Sequence, residues 1–250
     1  MTEHRAALQH VPSDPQDFSP GDGGAPGASQ HGPVVTFVAD LVCPWCRLAL
    51  HTLLPVAARL GYGLRWHPFL LNPGLPPEGV PRSLYLERKF GSAEAAQAML
   101  RRVARRGRLQ GLDFDFARIA RQPDTVPAHA LLLEAERAGR LAPLALALFE
   151  RFFEQGADLS DRALLAELAA SAGLGPEAVR AALSPDRHAA VRAAHRRAVA
   201  REIDGVPAFL LPGVGLLAGA QPEEALTAFL ELGLVTAALD AGAVQGRQGS

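Results

Sequence analysis

The chain has 250 residues, enough for one large domain or two small ones, and 48% of them are hydrophobic. The net charge is −1 (25 basic, 26 acidic), with Lys89 the only lysine, so no electrostatic case arises for nucleic acid or an anionic membrane surface. The sequence lacks a run of about 18 apolar residues that would span a membrane and an apolar stretch near its start that would act as a secretory signal, and both cysteines sit in one motif, so a cytoplasmic protein is expected.

Residues 1–32 are rich in Gly, Pro, Ser, Asp and Gln and hold too little apolar surface to offset chain entropy, so a disordered tail is expected there. Residues 34–39, an apolar and β-branched run, predict a first strand. A helical pattern starts at Pro44 and runs to about residue 60, where Gly61 and Gly63 stop it; Pro55 marks a place for a kink. Residues 64–70 read as a second strand, parallel to the first through a β-α-β crossover. The Pro- and Gly-rich residues 72–77 form a loop.

From 83 to about 183 the pattern is helical throughout, with segments at 83–90, 93–106, 116–120, 127–138, 142–155, 161–172 and 176–183 punctuated by glycines. Ser92 and Ser160 are the expected N-caps. A helix over 186–201 leads to a strand at 205–211, a Pro212-Gly213 turn and a strand at 214–218, close enough to pair as a hairpin. Residues 221–232 form a final helix, with Glu223 and Glu224 in its first turn, and 237–250 read as a small-residue tail. Taking the long helical stretch as an insertion, the order predicts an α/β, thioredoxin-like fold: a central mixed sheet with a large inserted all-helical domain. The expected division is a disordered tail (1–32), a discontinuous thioredoxin-like domain (33–75 and 186–234), a helical insertion domain (76–185) and a flexible C-terminal tail (235–250).

Cys43-Pro44-Trp45-Cys46 lies where the first strand ends and the first helix begins. The free N–H groups and partial positive charge of a helix N-terminus stabilise a thiolate, so the pKa of Cys43 is expected to fall. Pro44 suits the first helical position. Cys43 is then the exposed nucleophile and Cys46, one turn in, the more buried resolving thiol. A structural disulfide would close too small a loop to stabilise much. Zinc needs about four ligands, and His51 and His67 lack ligand spacing. Two buried, inert cysteines are the remaining alternative.

Six stretches occur in an order that matches a known family: Cys43-Pro44-Trp45-Cys46, Arg65-Trp66-His67-Pro68-Phe69-Leu70-Leu71-Asn72-Pro73, Tyr85-Leu86-Glu87-Arg88-Lys89-Phe90-Gly91-Ser92, Pro123-Asp124-Thr125-Val126-Pro127-Ala128-His129, Gly205-Val206-Pro207-Ala208-Phe209 and Gly219-Ala220-Gln221-Pro222. From about residue 34 to 232 the chain resembles the DsbA-like thioredoxin-fold oxidoreductases, and within them the cytoplasmic FrnE-type branch. The resemblance implies an enzyme, a protein-disulfide oxidoreductase or isomerase that exchanges disulfides with protein or low-molecular-weight thiol substrates. It implies no cofactor beyond the redox-active disulfide, with glutathione an option as co-substrate. A monomer or homodimer without nucleic-acid or membrane partners is expected. By the same resemblance Pro207 looks like the cis-proline that faces the cysteines, and the backbone of Val206 would pair with an extended substrate beside Cys43. An ordinary trans proline at an edge strand is the alternative for Pro207.

The sequence departs from the family pattern at Arg47, where a tyrosine is expected, and at Asp124, where asparagine is more frequent. Arg47 is expected to be solvated, and any hydrogen bond from position 124 is in doubt. Trp45 offers an apolar surface to substrates or covers the disulfide. His129 lines the cleft and holds a proton, or is a capping or surface histidine. Asn72 lines the same cleft or serves a turn. The runs Arg101, Arg102, Arg105, Arg106, Arg108 and Arg192, Arg196, Arg197, Arg201 lack interleaved aromatics and read as solvated helix faces. Two other functions are open. One is a glutathione-dependent isomerase or transferase, since the fold resembles 2-hydroxychromene-2-carboxylate isomerases and kappa-class transferases, which carry a single serine or cysteine at this turn. The other is a non-catalytic, redox-sensing binding module.

Overall fold

The computed structural model describes residues 32–247, so nearly all of the expected disordered tail lies outside the described residues. The elements follow in the order β1 (Val34–Ala39), α1 (Pro44–Arg59), β2 (Gly63–Pro68), β3 (Val80–Pro81), α2 (Arg82–Phe90), α3 (Ala93–Arg108), β4 (Arg121–Gln122), α4 (Val126–Arg137), α5 (Leu141–Phe153), α6 (Arg162–Ser171), α7 (Pro176–Ala182), α8 (Pro185–Ala200), β5 (Ala208–Leu211), β6 (Gly215–Ala218) and α9 (Glu223–Arg247).

β-Branched and aromatic residues make β1 an inner strand, buried from Val35 onward. It lies in a four-stranded sheet ordered β2-β1-β5-β6. β2 is parallel to it, with Phe37 opposite Trp66 and Val38 opposite His67, as the α1 crossover requires. β5 is antiparallel to it, with Phe37 opposite Phe209 and Val38 opposite Ala208. β5 and β6 form the expected hairpin.

Successive strand residues point to opposite faces. Val35, Phe37 and Ala39 join Phe209, Leu211 and Leu217 in a core shared with α1, α9 and the helices between β2 and α8. Phe37 stacks on Phe209 at 5.4 Å and meets Trp66 edge-on at 5.6 Å. Val38, Ala208, Leu210 and Leu216 face the other way, onto Ala198 of α8 and Ile203. The inserted helices thus bury their apolar faces, including Leu144, Phe149 and Phe153, in the same core as the sheet.

Three local expectations are corrected. Residues 116–120 are not helical; the chain turns there and enters β4, which pairs antiparallel with β3. The close approach needs Gly79, which has φ +68°, and a Cβ there would lie 2.4 Å from the Gln122 carbonyl oxygen. Asp161, not Ser160, caps α6, accepting from the Ala163 and Leu164 amides at 2.8 and 3.4 Å. Ser160 instead donates to Asp158 at 2.6 Å. The last helix does not stop at residue 232 but continues to Arg247, because the alanine-rich run read as a tail has high helix propensity. Ser92 does cap α3, accepting from Ala95 at 3.1 Å, and α1 runs on through Pro55. Among the described residues no helix is long and apolar enough to cross a membrane.

His67 of β2 is buried against α8, with Nε2 3.0 Å from the Ala194 carbonyl oxygen. Burial pushes its pKa down from 6.5 to about 4. The unfolded chain takes up this proton near pH 6.5 and the folded chain only near pH 4. Stability is therefore full above pH 6.5 and is lost as pH falls toward 4, by on the order of 3 kcal/mol. Urea unfolding midpoints measured across this range should fall in the wild type and fall much less in His67→Gln. Exposed His51 and the partly buried His188 and His195, shifted in the same direction, contribute to the residual slope.

Candidate active site

The site begins where β1 ends. The Cys43 amide donates to the Asp40 carbonyl at 3.1 Å, closing a tight turn. Cys43 is the N-cap of α1 in extended backbone, and Pro44 follows in the first turn. The Cys46 amide donates back to the Cys43 carbonyl at 3.0 Å, starting the helix. Both cysteines are free thiols.

Cys43 is only 5% exposed and Cys46 is fully buried. The expectation of an exposed Cys43 is therefore corrected. Its cover is the segment before β5, where the Val206–Pro207 peptide bond is cis. The Val206 carbonyl oxygen lies 3.6 Å from Cys43 Sγ, so a protonated Cys43 donates to it. Pro207 is buried and Val206 half-buried.

The two thiols have opposite electrostatics. The Cys43 pKa is lowered, first by the hydrogen bond from the Cys46 thiol and further by the Cys46 and Trp45 amides of the first helical turn. Burial and the Asp40 carboxylate work against this. The Cys46 pKa is pushed well up, first by burial and then by its role as donor to Cys43. One thiolate supported by one thiol is the arrangement that attack and resolution require.

Behind the turn lies a buried polar network that sequence reasoning missed. Asp40 is buried, and its Oδ2 accepts from the Leu71 amide at 2.8 Å. Its Oδ1 accepts from Thr125 Oγ1 at 3.0 Å and lies 3.2 Å from His129 Nε2. His129 Nδ1 lies 3.0 Å from Trp66 Nε1. Indole N–H only donates, so Nδ1 is the acceptor and the imidazole proton sits on Nε2, donating to Asp40. His129 is 0% exposed, so neither a surface nor a capping role holds for it. Two signals in the sequence pointed here: Asp40 interrupts an apolar run, and Thr125 and His129 are four residues apart at the start of one helix.

The other candidates fall as follows. Trp45 is half-buried, with the Arg102 guanidinium 5.8 Å over its ring. Asn72 follows Leu71, and its carbonyl accepts from Leu75 at 3.3 Å, a turn contact. Arg47 is not solvated: it is 7% exposed and pairs with Glu154 at 3.0 Å, because its side of α1 faces the end of α5. Asp124 does hydrogen-bond, accepting from the Val126 amide at 3.1 Å and from Arg192 at 3.4 Å. Arg192 also donates to the Pro73 carbonyl at 3.0 Å, so it is not part of a solvated face. Arg101, Arg102, Arg105, Arg106 and Arg108 are exposed as expected.

A family model described as a DSBA-like thioredoxin domain matches residues 34–231. The chain belongs to this family. DsbA-like proteins are thiol–disulfide oxidoreductases acting on thiol and disulfide substrates, and a member of solved structure is 31% identical. It is a probable DsbA oxidoreductase from Streptomyces coelicolor, with a TM-score of 0.72 over 81% of this chain and 90% of that one. The fold is shared with the cytosolic disulfide reductase DsbM from Pseudomonas aeruginosa, solved with GSH, at 23% identity and a TM-score of 0.59, covering 80% of this chain and 98% of that one. It is shared too with a 2-hydroxychromene-2-carboxylate isomerase, at 15% identity and a TM-score of 0.56 over 87% of this chain and 99% of that one. No curated protein matches the sequence. For this DsbA-like chain, then, the cysteine turn, the Val206–Pro207 segment and the Asp40 network are the parts whose chemistry matters.

Alkylation of the reduced protein with iodoacetamide across a pH series should label Cys43 first, with a half-maximal rate below the pH seen for a free cysteine peptide. Cys46 should stay unlabelled until denaturant is added. Equal titration of the two thiols would contradict the charge assignment.

Proposed function

We propose that the protein is a cytoplasmic, FrnE-type thiol–disulfide oxidoreductase that works through the Cys43–Cys46 dithiol. In the reducing direction the Cys43 thiolate attacks a substrate disulfide, forming a Cys43–substrate mixed disulfide and releasing one substrate thiolate, which takes a proton from water. Cys46 then loses its proton and attacks Cys43 Sγ. The Cys43–Cys46 disulfide forms, the second substrate thiolate leaves, and two electrons have passed to the substrate. The oxidising direction is the reverse.

The observation that carries this reading is the asymmetric thiol pair at the start of α1, with Val206 against Cys43 Sγ. The backbone at Val206 receives an extended protein segment or a small thiol such as glutathione, with Trp45 and Asn72 as further contacts for it. His129 belongs to this site through Asp40. No cofactor beyond the redox-active disulfide takes part. Cytoplasmic action is supported by the use of only two cysteines, both in the motif, and by the fold shared with a cytosolic disulfide reductase. Cys46 favours exchange over a glutathione-dependent isomerase, which has no use for a resolving thiol.

In an insulin-reduction assay Cys43→Ser should drop to the uncatalysed background. Cys46→Ser should lose turnover yet accumulate a stable mixed disulfide with glutathione or substrate on Cys43. Full activity in Cys43→Ser would refute the proposal.

A further inference from the structure

Asp40 is a buried carboxylate three residues before Cys43, in the same turn. Its charge opposes thiolate formation at both cysteines. A bare carboxylate in this position would work against the chemistry, yet three donors converge on it: the Leu71 amide on Oδ2, and Thr125 Oγ1 and His129 Nε2 on Oδ1. Charge-assisted hydrogen bonds of this kind draw negative charge toward the donor side.

Of the three donors, only His129 is itself fixed by a further buried contact. Trp66 Nε1 fills its Nδ1 at 3.0 Å, which keeps the proton on Nε2, and protonating Nδ1 would set two donors against each other. Trp66 lies on β2, His129 on α4 and Asp40 at the end of β1, so the sheet and the inserted helices meet at this contact.

We propose that His129 is a positioning residue: by donating Nε2–H to Asp40, in a tautomer locked by Trp66, it holds the carboxylate's charge off the cysteine pair and sets how readily that pair is reduced. The inference rests on the Cys43–Cys46 dithiol being the redox centre. Loss of the donor leaves more charge facing Cys43. The thiolate is then less stable, so the reduced form is disfavoured and the pair becomes more reducing. The Leu71 amide and Thr125 Oγ1 still donate to Asp40 in that case.

The titratable groups facing Asp40 are Cys43 and Cys46 in its own turn, His129 of α4 and His195 of α8, which takes the Leu70 amide on Nδ1 at 3.2 Å; His67 faces His129 from β2. Burial pushes both His195 and His67 below 6.5, so above pH 7 neither changes charge.

The test is a double-mutant cycle on the full chain, read above pH 7 by the equilibrium of Cys43–Cys46 with glutathione and by thiolate absorbance of Cys43. His129→Leu should raise the Cys43 pKa by about half to one unit and shift the glutathione equilibrium about three- to tenfold toward the disulfide, the size expected when part of one charge-assisted hydrogen bond reaches the cysteine pair through Asp40. His129→Gln, which keeps an N–H in place of Nε2–H, should return most of the shift. Thr125→Val, a milder change on the same Oδ1, should move both readouts the same way. In an Asp40→Asn background His129→Leu should be silent. An unchanged or reversed equilibrium in both His129→Leu and Thr125→Val, or an equal His129→Leu effect with and without the Asp40 carboxylate, would overturn the proposal. If instead no variant, nor the wild type, formed a Cys43–Cys46 disulfide with glutathione, the redox assignment itself would have failed.

Discussion

Val38 of β1 pairs with Ala208 of β5 across an antiparallel ladder, and the cysteine turn depends on that register. β1 ends one residue later at Ala39 and delivers Asp40 and Cys43. β5 begins at Ala208, so Val206 and Pro207 stand at the same end of the sheet. Two segments 163 residues apart are thereby set face to face, with the Val206 carbonyl 3.6 Å from Cys43 Sγ. A slip of one residue would turn Phe37 and Phe209 out of the shared core and part the two halves of the site. The burial of those rings therefore fixes the functional geometry as well as the fold.

The helices between β2 and α8 are part of the same construction. Their apolar faces complete the core over Phe37 and Trp66, and α4 brings Thr125 and His129 to the carboxylate of Asp40. A buried carboxylate persists only where donors satisfy it. Here they come from the loop after β2 and from α4, so the turn that carries Cys43 is tied to both. On the far side of α1, the Arg47–Glu154 pair ties the same turn to α5. The cysteine pair is held from several directions at once, which suits chemistry that requires one sulfur to reach two partners in succession.

Much of this was legible in the sequence because it rests on local signals. The β-branched run of β1, Pro44 at the start of α1 and the glycine stops gave the strand–turn–helix, and the Pro212-Gly213 turn gave the β5–β6 hairpin. The ordered set of motifs pointed to the DsbA-like family. What was not legible depends on contacts distant in sequence. The burial of Cys43 comes from Val206, that of Arg47 from the end of α5, and the role of His129 from Trp66 and Asp40. None of these is encoded in the spacing of neighbouring residues. The β3–β4 ribbon is two residues per strand, too short to show alternation, and the end of α9 was hidden because small residues resemble a tail while favouring helix.

The central claim is that Cys43 and Cys46 act as one two-electron couple. Equilibration of the wild-type protein in glutathione buffers of graded ratio, followed by acid quenching, alkylation and mass analysis of the cysteine peptide, tests it most directly. The account predicts a single transition in which both thiols disappear together into a Cys43–Cys46 disulfide, spanning about 30 mV per tenfold change in the ratio of oxidised to reduced protein. Thiols that stay free across the whole range, or a persistent glutathione adduct on Cys43 with Cys46 left free, would contradict it.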